Sequence, residues 1–258
     1  MSHFIENSIN SVFVHVSNLQ RSAEWYSTLL GLKVLEERFN GGPVYWMELE
    51  NFTGIILDDN SVNIARGEWN KDNAPLYMYS AKSVTTAFEY LKRKGVNITL
   101  EIETPHEGLT FFNFEDPDGN VFMVCSCEDN EIPLEKTASS PIHNRIPAVF
   151  VNVSDIQKAV QWHFDVLDIQ PRLIHPKESI VEIQSEKGAN ILLDNSRFLN
   201  GDNYKIRFML ETDDIHEAYS FVKSNRIEVL TEKEGHGDAT FFTILDPDDH
   251  VIMVCQPH

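Results

Sequence analysis

Residues 12–20 read VFVHVSNLQ, and the chain returns to this pattern at residues 149–157 with VFVNVSDIQ. A second pattern, DPDGNVFMVC at residues 116–125, returns at residues 246–255 as DPDDHVIMVC. Two separated patterns that recur in the same order indicate two copies of one structural unit. The first recurs after 137 residues and the second after 130, so the first copy holds about seven extra residues in its middle. We expect these at residues 41–43 or around Trp69.

Each copy alternates between strand and helix patterns. Residues 12–16 are rich in β-branched side chains, which predicts a strand. Leu19, Ala23 and Tyr26 then recur at helical spacing, which predicts a helix that Ser17 or Asn18 caps and Gly31 ends. Three strand-like runs follow, at residues 33–37, 44–49 and 54–57. The order then recurs as a strand at 76–80, a helix between Ser83 and Gly95, and strands at 98–101, 110–114 and 121–125.

The second copy repeats this plan, with Asp213 or Asp214 as the cap of its second helix. We therefore predict an α+β fold of four βαβββ modules, forming two domains with curled mixed sheets around a cavity. The first domain spans residues 1–127 and the second spans residues 145–258. Residues 128–144 are polar, contain Pro and Ser and lack a sustained period, which predicts a linker.

Composition narrows the possible functions. The formal net charge of −19 argues against a nucleic-acid partner and an anionic membrane, and it permits a cationic ligand. No apolar run is long enough to span a membrane, and the N-terminal residues lack a signal-peptide pattern. Three cysteines without a secretory pattern indicate reduced thiols, so we expect a cytoplasmic protein.

Residues 12–31 and the Asp-Pro-Asp-Gly-Asn turn at 116–120 resemble the vicinal oxygen chelate (glyoxalase/bleomycin-resistance/extradiol dioxygenase) superfamily, and the resemblance covers nearly the whole chain twice. It implies one divalent metal per cavity, held by His, Gln or Glu from the first and last strands of each module. It also implies that a monomer is possible beside a homodimer, because two copies can supply the pairing that single-domain relatives build from two chains.

The residues at the implied ligand positions are of the wrong type for such a metal. These positions fall on Ser11, Leu76, Met123 and residues 55–57 in the first copy, and on Ala148, Arg207, Met253 and residues 191–193 in the second. Divalent metals of this class need imidazole nitrogens or carboxylate oxygens. We therefore predict no metal and no other cofactor, and a metal-independent small-molecule binding protein of the glyoxalase/bleomycin-resistance type. The alternative is a metal-dependent glyoxalase- or dioxygenase-like enzyme with divergent ligands.

Side chains alternate along a strand, so one face of each sheet should line the cavity. The predicted ligand-contacting residues are Phe13, His15, Met78, His106, Met123, Phe150, Asn152, Arg207, Met209, Glu211, His236 and Met253. Methionines and aromatic rings suit an aromatic or cationic small molecule. Three alternatives stay open: His15 as a hydrogen-bonded core histidine, Arg207 and Glu211 as a structural ion pair, and a cavity closed by its own side chains. No catalytic residue is predicted.

Overall fold

A computed structural model describes residues 4–39, 42–61, 69–127, 134–137, 139–170, 172–175, 177–202 and 204–258, without the side chains of Cys127 and His236. The first half contains β1 (Ile9–His15), α1 (Leu19–Leu30), β2 (Val44–Glu48), β3 (Gly54–Asp58), β4 (Tyr77–Ser80), α2 (Val84–Lys94), β5 (Asn97–His106), β6 (Leu109–Glu115) and β7 (Val121–Cys127). The second contains β8 (Ala148–Asn152), α3 (Ile156–Val166), β9 (Ile180–Ile183), β10 (Asn190–Asp194), α4 (Ser196–Asn200), β11 (Ile206–Glu211), α5 (Ile215–Ser224), β12 (Glu228–His236), β13 (Ala239–Leu245) and β14 (Val251–Pro257).

Each half forms one seven-stranded mixed sheet, and the two sheets have the same strand order. The first runs β2-β3-β1-β4-β7-β6-β5, and the second runs β9-β10-β8-β11-β14-β13-β12. The two modules of a half meet through their first strands, since β1 pairs antiparallel with β4 and β8 pairs antiparallel with β11. The predicted α+β fold of two duplicated domains is therefore confirmed.

One strand predicted in the first half is absent. Residues 33–37 were expected to be extended, but the chain there forms a short 3₁₀ turn at Glu36–Arg38. The backbone N–H of Leu35 donates to the Tyr45 hydroxyl, and that of Lys33 donates to the Glu135 carbonyl in the linker. These bonds satisfy the backbone of this segment outside the sheet. The first module of each half is therefore βαββ, as β1-α1-β2-β3 and β8-α3-β9-β10, rather than the predicted βαβββ.

Local chemistry sets the helix ends as expected. Asn18 rather than Ser17 caps α1, and its side chain accepts the Arg21 N–H. Gly31 ends the helix at a φ of 64°, in the left-handed region that glycine adopts without strain. Asp214 rather than Asp213 caps α5. None of the helices among the described residues is both long and apolar enough to cross a membrane.

The described part of the linker contacts both halves. The Thr137 N–H donates to the Gly31 carbonyl and the Ser140 hydroxyl donates to the Leu29 carbonyl, whereas Ile142 is buried and pairs with Thr212 of the second half. The loop that follows β3 crosses to the second half, where the Lys71 carbonyl accepts from Arg207 and from His250. Part of the expected extra segment, residues 40–41 and 62–68, lies outside the described residues.

Candidate functional site

Each sheet has one face that packs against helices and a second face, called the helix-free face below, whose apolar cluster contains no residue of the described helices. On the helix-free face of the first sheet, a separate apolar cluster consists of Phe13, Ile56, Met78, Met123 and Cys125. The matching cluster of the second sheet consists of Phe150, Ile206, Val251, Met253 and Cys255. Among the predicted lining residues, Phe13, Met78 and Met123 thus come together in the first cluster. Phe150 and Met253 come together in the second, with Met209 packed against them.

Strand register places four residues of the first helix-free face in one row. Ser11 pairs with Met78, Met78 pairs with Met123, and Met123 pairs with Asn113. The sequence placed Leu76 on this face, two residues before Met78. Leu76 instead precedes β4 and packs against the core on the helix side. The row Ser11–Met78–Met123–Asn113 therefore corrects the predicted set at Leu76.

The second sheet has an equivalent row. Ala148 pairs with Met209, Met209 pairs with Met253, and Met253 pairs with Thr243. Arg207 was predicted beside Met209, but a register shift between Ile206 and Phe208 breaks the alternation there. This bulge changes the direction of the strand residue next to it. The row Ala148–Met209–Met253–Thr243 therefore corrects the predicted set at Arg207.

The two rows differ in how their polar groups are satisfied. In the first, the Ser11 hydroxyl and the Asn113 Oδ1 atom are buried and have no hydrogen-bond partner. Ser11 is 0% exposed and Asn113 is 4% exposed. In the second, Ala148 has no polar side chain, and the Thr243 hydroxyl bonds to that of Thr231 at 2.9 Å. A buried polar group without a partner is costly, so the first row has unused hydrogen-bonding capacity.

His15 lies at the end of β1 and is 1% exposed. Its Nε2 atom lies 3.0 Å from the Pro75 carbonyl, and its Nδ1 atom lies 2.9 Å from the Asn60 amide nitrogen. A carbonyl only accepts, so Nε2 carries the proton and Nδ1 accepts. Both ring nitrogens are thus occupied within the protein, which favours the core role over ligand contact. Its counterpart Asn152 differs, because the Asn152 Oδ1 atom is buried and unpartnered.

The ion pair between Arg207 and Glu211, which the sequence left open as an alternative to ligand contact, is not formed, and each residue makes a longer-range contact instead. Arg207 donates to Asp72 at 2.9 Å and to the Lys71 carbonyl at 3.1 Å, which docks a loop of the first half. Glu211 pairs with Arg145. His106 is exposed at the end of β5, and its Nδ1 atom bonds the Glu107 carbonyl. The side chain of His236 lies outside the described residues.

The sequence model of the Glyoxalase/Bleomycin resistance protein/Dioxygenase superfamily matches residues 8–124 and 145–254. The chain belongs to this superfamily. Each matched segment covers one of the two sheets, so both halves are superfamily domains.

Solved structures of the superfamily share the fold over the whole length. A Mn(II)-bound glyoxalase from Novosphingobium aromaticivorans aligns with a TM-score of 0.61 and 14% identity, over 98% of this chain and 83% of that one. Homoprotocatechuate 2,3-dioxygenase from Arthrobacter globiformis aligns with a TM-score of 0.62 and 18% identity, over 99% of this chain and 81% of that one. At these identities the likeness establishes the fold alone.

A curated protein also matches in sequence. It is the β-hexosaminidase subunit B1 of Dictyostelium discoideum, 27% identical over 157 residues. The match takes in 55% of this chain and 27% of that protein, so it spans about a quarter of the relative's length.

The donor groups in the two rows do not fit the divalent metal that superfamily cavities hold. The rows offer one serine hydroxyl, one amide, one threonine hydroxyl and four thioethers, whereas such metals need imidazole or carboxylate. Within the described residues, no cluster of three His, Cys, Asp or Glu side chains is placed to hold a metal. Burial, with Glu211 and Asp238 nearby, raises the pKa of the Cys255 thiol to about 11, so it stays protonated.

Sequence reasoning missed Asn113, which completes the first row. A signal was present, because Asn113 interrupts the apolar run TFFNF at residues 110–114 at a position alternating with Phe111. The strand partner that places it beside Met123 could not be read from one strand alone. Trp46 and Phe111 were missed as well, and both pack around the first cluster with part of their surface exposed.

Proposed function

We propose that this superfamily member is a metal-independent small-molecule binding protein whose ligand site is the helix-free face of the first sheet. One observation carries the proposal: the Ser11 hydroxyl and the Asn113 Oδ1 atom lie buried and unpartnered in the methionine row of that face. A ligand with a hydrogen-bond donor would satisfy either of them. In a native protein a buried polar atom without a partner needs an explanation, and one explanation is that the atom forms a hydrogen bond to a bound ligand.

The surroundings of this row favour an aromatic ligand, either neutral or cationic. Phe13 belongs to the cluster, and the partly exposed rings of Trp46 and Phe111 pack around it. Aromatic faces attract cations, and the net charge of −19 raises the local concentration of cationic molecules. Met78 is 3% exposed and Met123 is 9% exposed, so the face is filled by its own side chains. A ligand therefore has to displace these flexible thioethers, which methionine permits at low cost.

The proposal includes the cellular setting. It assigns a cytoplasmic protein that works as a monomer or a homodimer, without nucleic-acid or membrane partners. The acidic charge and the free thiol of Cys255 support this setting. It also keeps the domain limits of 1–127 and 145–258, within which the two matched segments fall.

The test exchanges the compositions of the two rows. Ser11→Ala with Asn113→Thr gives the first row the side chains of the second, and Ala148→Ser with Thr243→Asn does the reverse. Wild type and both double variants are screened by thermal shift against small aromatic cations, aromatic acids and neutral phenols. We expect compounds that stabilise the wild type to lose their shift in the first double variant and to keep it in the second. A shift of about 2.7 kcal/mol corresponds to ligand at a hundred times its Kd.

A metal-dependent enzyme with divergent ligands is the second candidate, favoured by the fold shared with a Mn(II)-bound glyoxalase and a 2,3-dioxygenase. Elemental analysis of protein purified without chelator separates the two. Stoichiometric Mn, Fe, Ni or Zn that survives gel filtration would support the enzyme. A metal content far below one per chain, together with a ligand-induced shift, supports the binding protein. Absence of any stabilising compound in all three proteins would refute it.

A further inference from the structure

A cavity lies at the seam between the two halves, away from both helix-free faces. Its volume is about 290 Å³, and its wall includes Glu24 and Ser27 of α1, Gly31, and Phe221 and Asn225 at the end of α5. Gly31 is the C-cap of α1 and Asn225 is the C-cap of α5. Two helix C-termini therefore meet at this cavity, which is called the α1–α5 seam below.

The electrostatics of the α1–α5 seam favour a positive charge. Helix C-termini carry partial negative charge, and α1 has no basic residue in its last turn. Glu24 is the only charged side chain among the described residues that line the cavity. Two cations lie near the end of α5, Lys223 and Arg226, and neither is part of the lining; Lys223 lies over the Tyr219 ring.

A hydrogen-bond acceptor and a ring complete the wall. Ser27 is 3% exposed, and its hydroxyl has no hydrogen-bond partner. Phe221 is partly exposed beside it on the lining. An ammonium N–H would donate to the serine oxygen, and an apolar or aromatic group would contact Phe221.

Because the chain is an internal repeat, the α1–α5 seam can be compared with an equivalent seam. The equivalent seam on the other side is formed by the ends of α2 and α3, and there the chain supplies its own ammonium. Lys94 Nζ donates to Asp165 at 2.6 Å and lies 5.6 Å from the centre of the Tyr90 ring. The residues equivalent to Lys94 and Asp165 are Asn225 and Thr28, two uncharged residues on the wall of the α1–α5 seam, and the equivalent of Tyr90 is Phe221. The α1–α5 seam thus has the negative helix ends and the ring without the ammonium.

We infer that the α1–α5 seam binds a small organic ammonium, an amine with an aromatic or alkyl group, in the place that the Lys94 side chain takes in the α2–α3 seam. This site is separate from the proposed ligand face, so either one can fail without the other.

The experiment titrates the full chain, labelled with ¹⁵N, with benzylammonium, and uses benzyl alcohol and benzoate as neutral and anionic probes of the same shape. We expect benzylammonium to shift amide signals at the ends of α1 and α5, with at least tenfold weaker effects from the other two. Asn225→Lys should abolish the shifts, because a tethered ammonium at the position of Lys94 then competes with the probe. Glu24→Gln should weaken binding about tenfold, and Glu217→Gln, on the first turn of α5, serves as the matched control.

Three outcomes would overturn the inference. The probes could act equally, the shifts could fall on residues of the helix-free faces instead, or the Asn225→Lys protein could bind benzylammonium like the wild type. Since Asn225 is exposed and has a φ of −85°, which lysine adopts without strain, the lysine variant should fold, and its spectrum verifies this directly.

Discussion

The hairpins that close the two domains share one set of hydrogen bonds, and the second hairpin forms additional bonds that the first lacks. In both turns the leading aspartate, Asp116 or Asp246, accepts backbone N–H groups of its own turn. In both, the next aspartate crosses to the other half and accepts from a serine ahead of its first helix. Asp118 thus bonds Ser154, and Asp248 bonds Ser17.

The difference lies in the residues that surround these turns. Asp248 also accepts from Arg21 at 2.7 Å, whereas Lys158, the equivalent of Arg21, pairs with Asp155 on its own helix. Tyr26 donates to Asp246 at 2.9 Å. Its equivalent, His163, gives its Nδ1 proton to the Ala159 carbonyl and leaves Nε2 buried without a partner. A duplicated backbone therefore keeps its turn, while single substitutions in the opposite half decide how firmly that turn is held.

The largest expected effect is the difference in stability between the Asp248→Asn and Asp118→Asn variants. Burial opposes the charge of Asp248, but the bonds from Ser17 and Arg21 outweigh it and hold the pKa of this carboxyl below its usual value. We expect Asp248→Asn to lower the unfolding free energy by ~2–3 kcal/mol, because a buried, paired charge is lost. Asp118→Asn should cost ~1 kcal/mol, since Asp118 is exposed and bonds a neutral serine. Urea unfolding at pH 7 measures both.

A double-mutant cycle with Arg21→Ala is the control for that pair. The coupling between Asp248 and Arg21 should account for ~1 kcal/mol or more of the loss. An Asp118→Asn cost equal to that of Asp248→Asn would show that the two hairpins are held equally, contrary to the comparison.

The next effect concerns pH and the first hairpin. Burial lowers the pKa of His163 to about 4, so as pH falls below 6.5 the unfolded chain binds the proton first and the protein loses stability. Burial raises the pKa of Asp116 to about 6, so as pH falls below 6 the folded chain binds the proton first and the protein gains stability. The two contributions oppose each other between pH 6 and pH 4.

His163→Phe removes one of these contributions. Between pH 7 and pH 5, the wild type should lose ~2 kcal/mol of unfolding free energy through His163, and the variant should not have this loss. Urea titrations at the two pH values give the difference. Identical pH profiles for variant and wild type would mean that His163 keeps its ordinary pKa in the folded protein.

The sequence predicted the duplicated scaffold because its signals are local. Asn18 and Gly31 bound a helix by their own backbone chemistry, and the Asp-Pro-Asp-Gly turn predicts the hairpin between β6 and β7. The faces of Phe13 and Met123 followed from alternation alone. Residues 33–37 failed as a strand because their bonding partners, Tyr45 and Glu135, come from elsewhere in the chain.

The candidate site was less predictable because it depends on pairing between strands. A bulge beside Ile206 moved Arg207 out of the lining, and no local pattern marks it. Asn113 joined the row only through its pairing with Met123. The partners of Arg207 and His250 lie on a loop of the other half, which a reading of one strand does not reach.

A smaller effect compares the two equivalent helix positions. Tyr26 is fully buried and donates its hydroxyl to the Asp246 carboxyl. Tyr26→Phe should cost ~1.5 kcal/mol, the value of a hydrogen bond to a charged group. His163→Phe at pH 7 should be neutral or slightly stabilising, because it removes a buried nitrogen without a partner. Thermal melts of the two phenylalanine variants at one pH give the comparison, and a larger loss from His163→Phe would contradict it.

The smallest expected effect tests the two rows without any ligand. Ser11 places a hydroxyl with no partner in a fully buried position, and its equivalent Ala148 places a methyl group there. Ser11→Ala should therefore raise the unfolding free energy by ~1 kcal/mol, and Ala148→Ser should lower it by ~1 kcal/mol. Urea unfolding of both single variants measures this opposite response. If Ser11→Ala is destabilising instead, the Ser11 hydroxyl already has a hydrogen-bond partner in the ligand-free protein, and the first row has no unused hydrogen-bonding capacity at this position. If it is stabilising and also abolishes ligand-induced shifts, the serine is kept at a cost in stability because it serves binding.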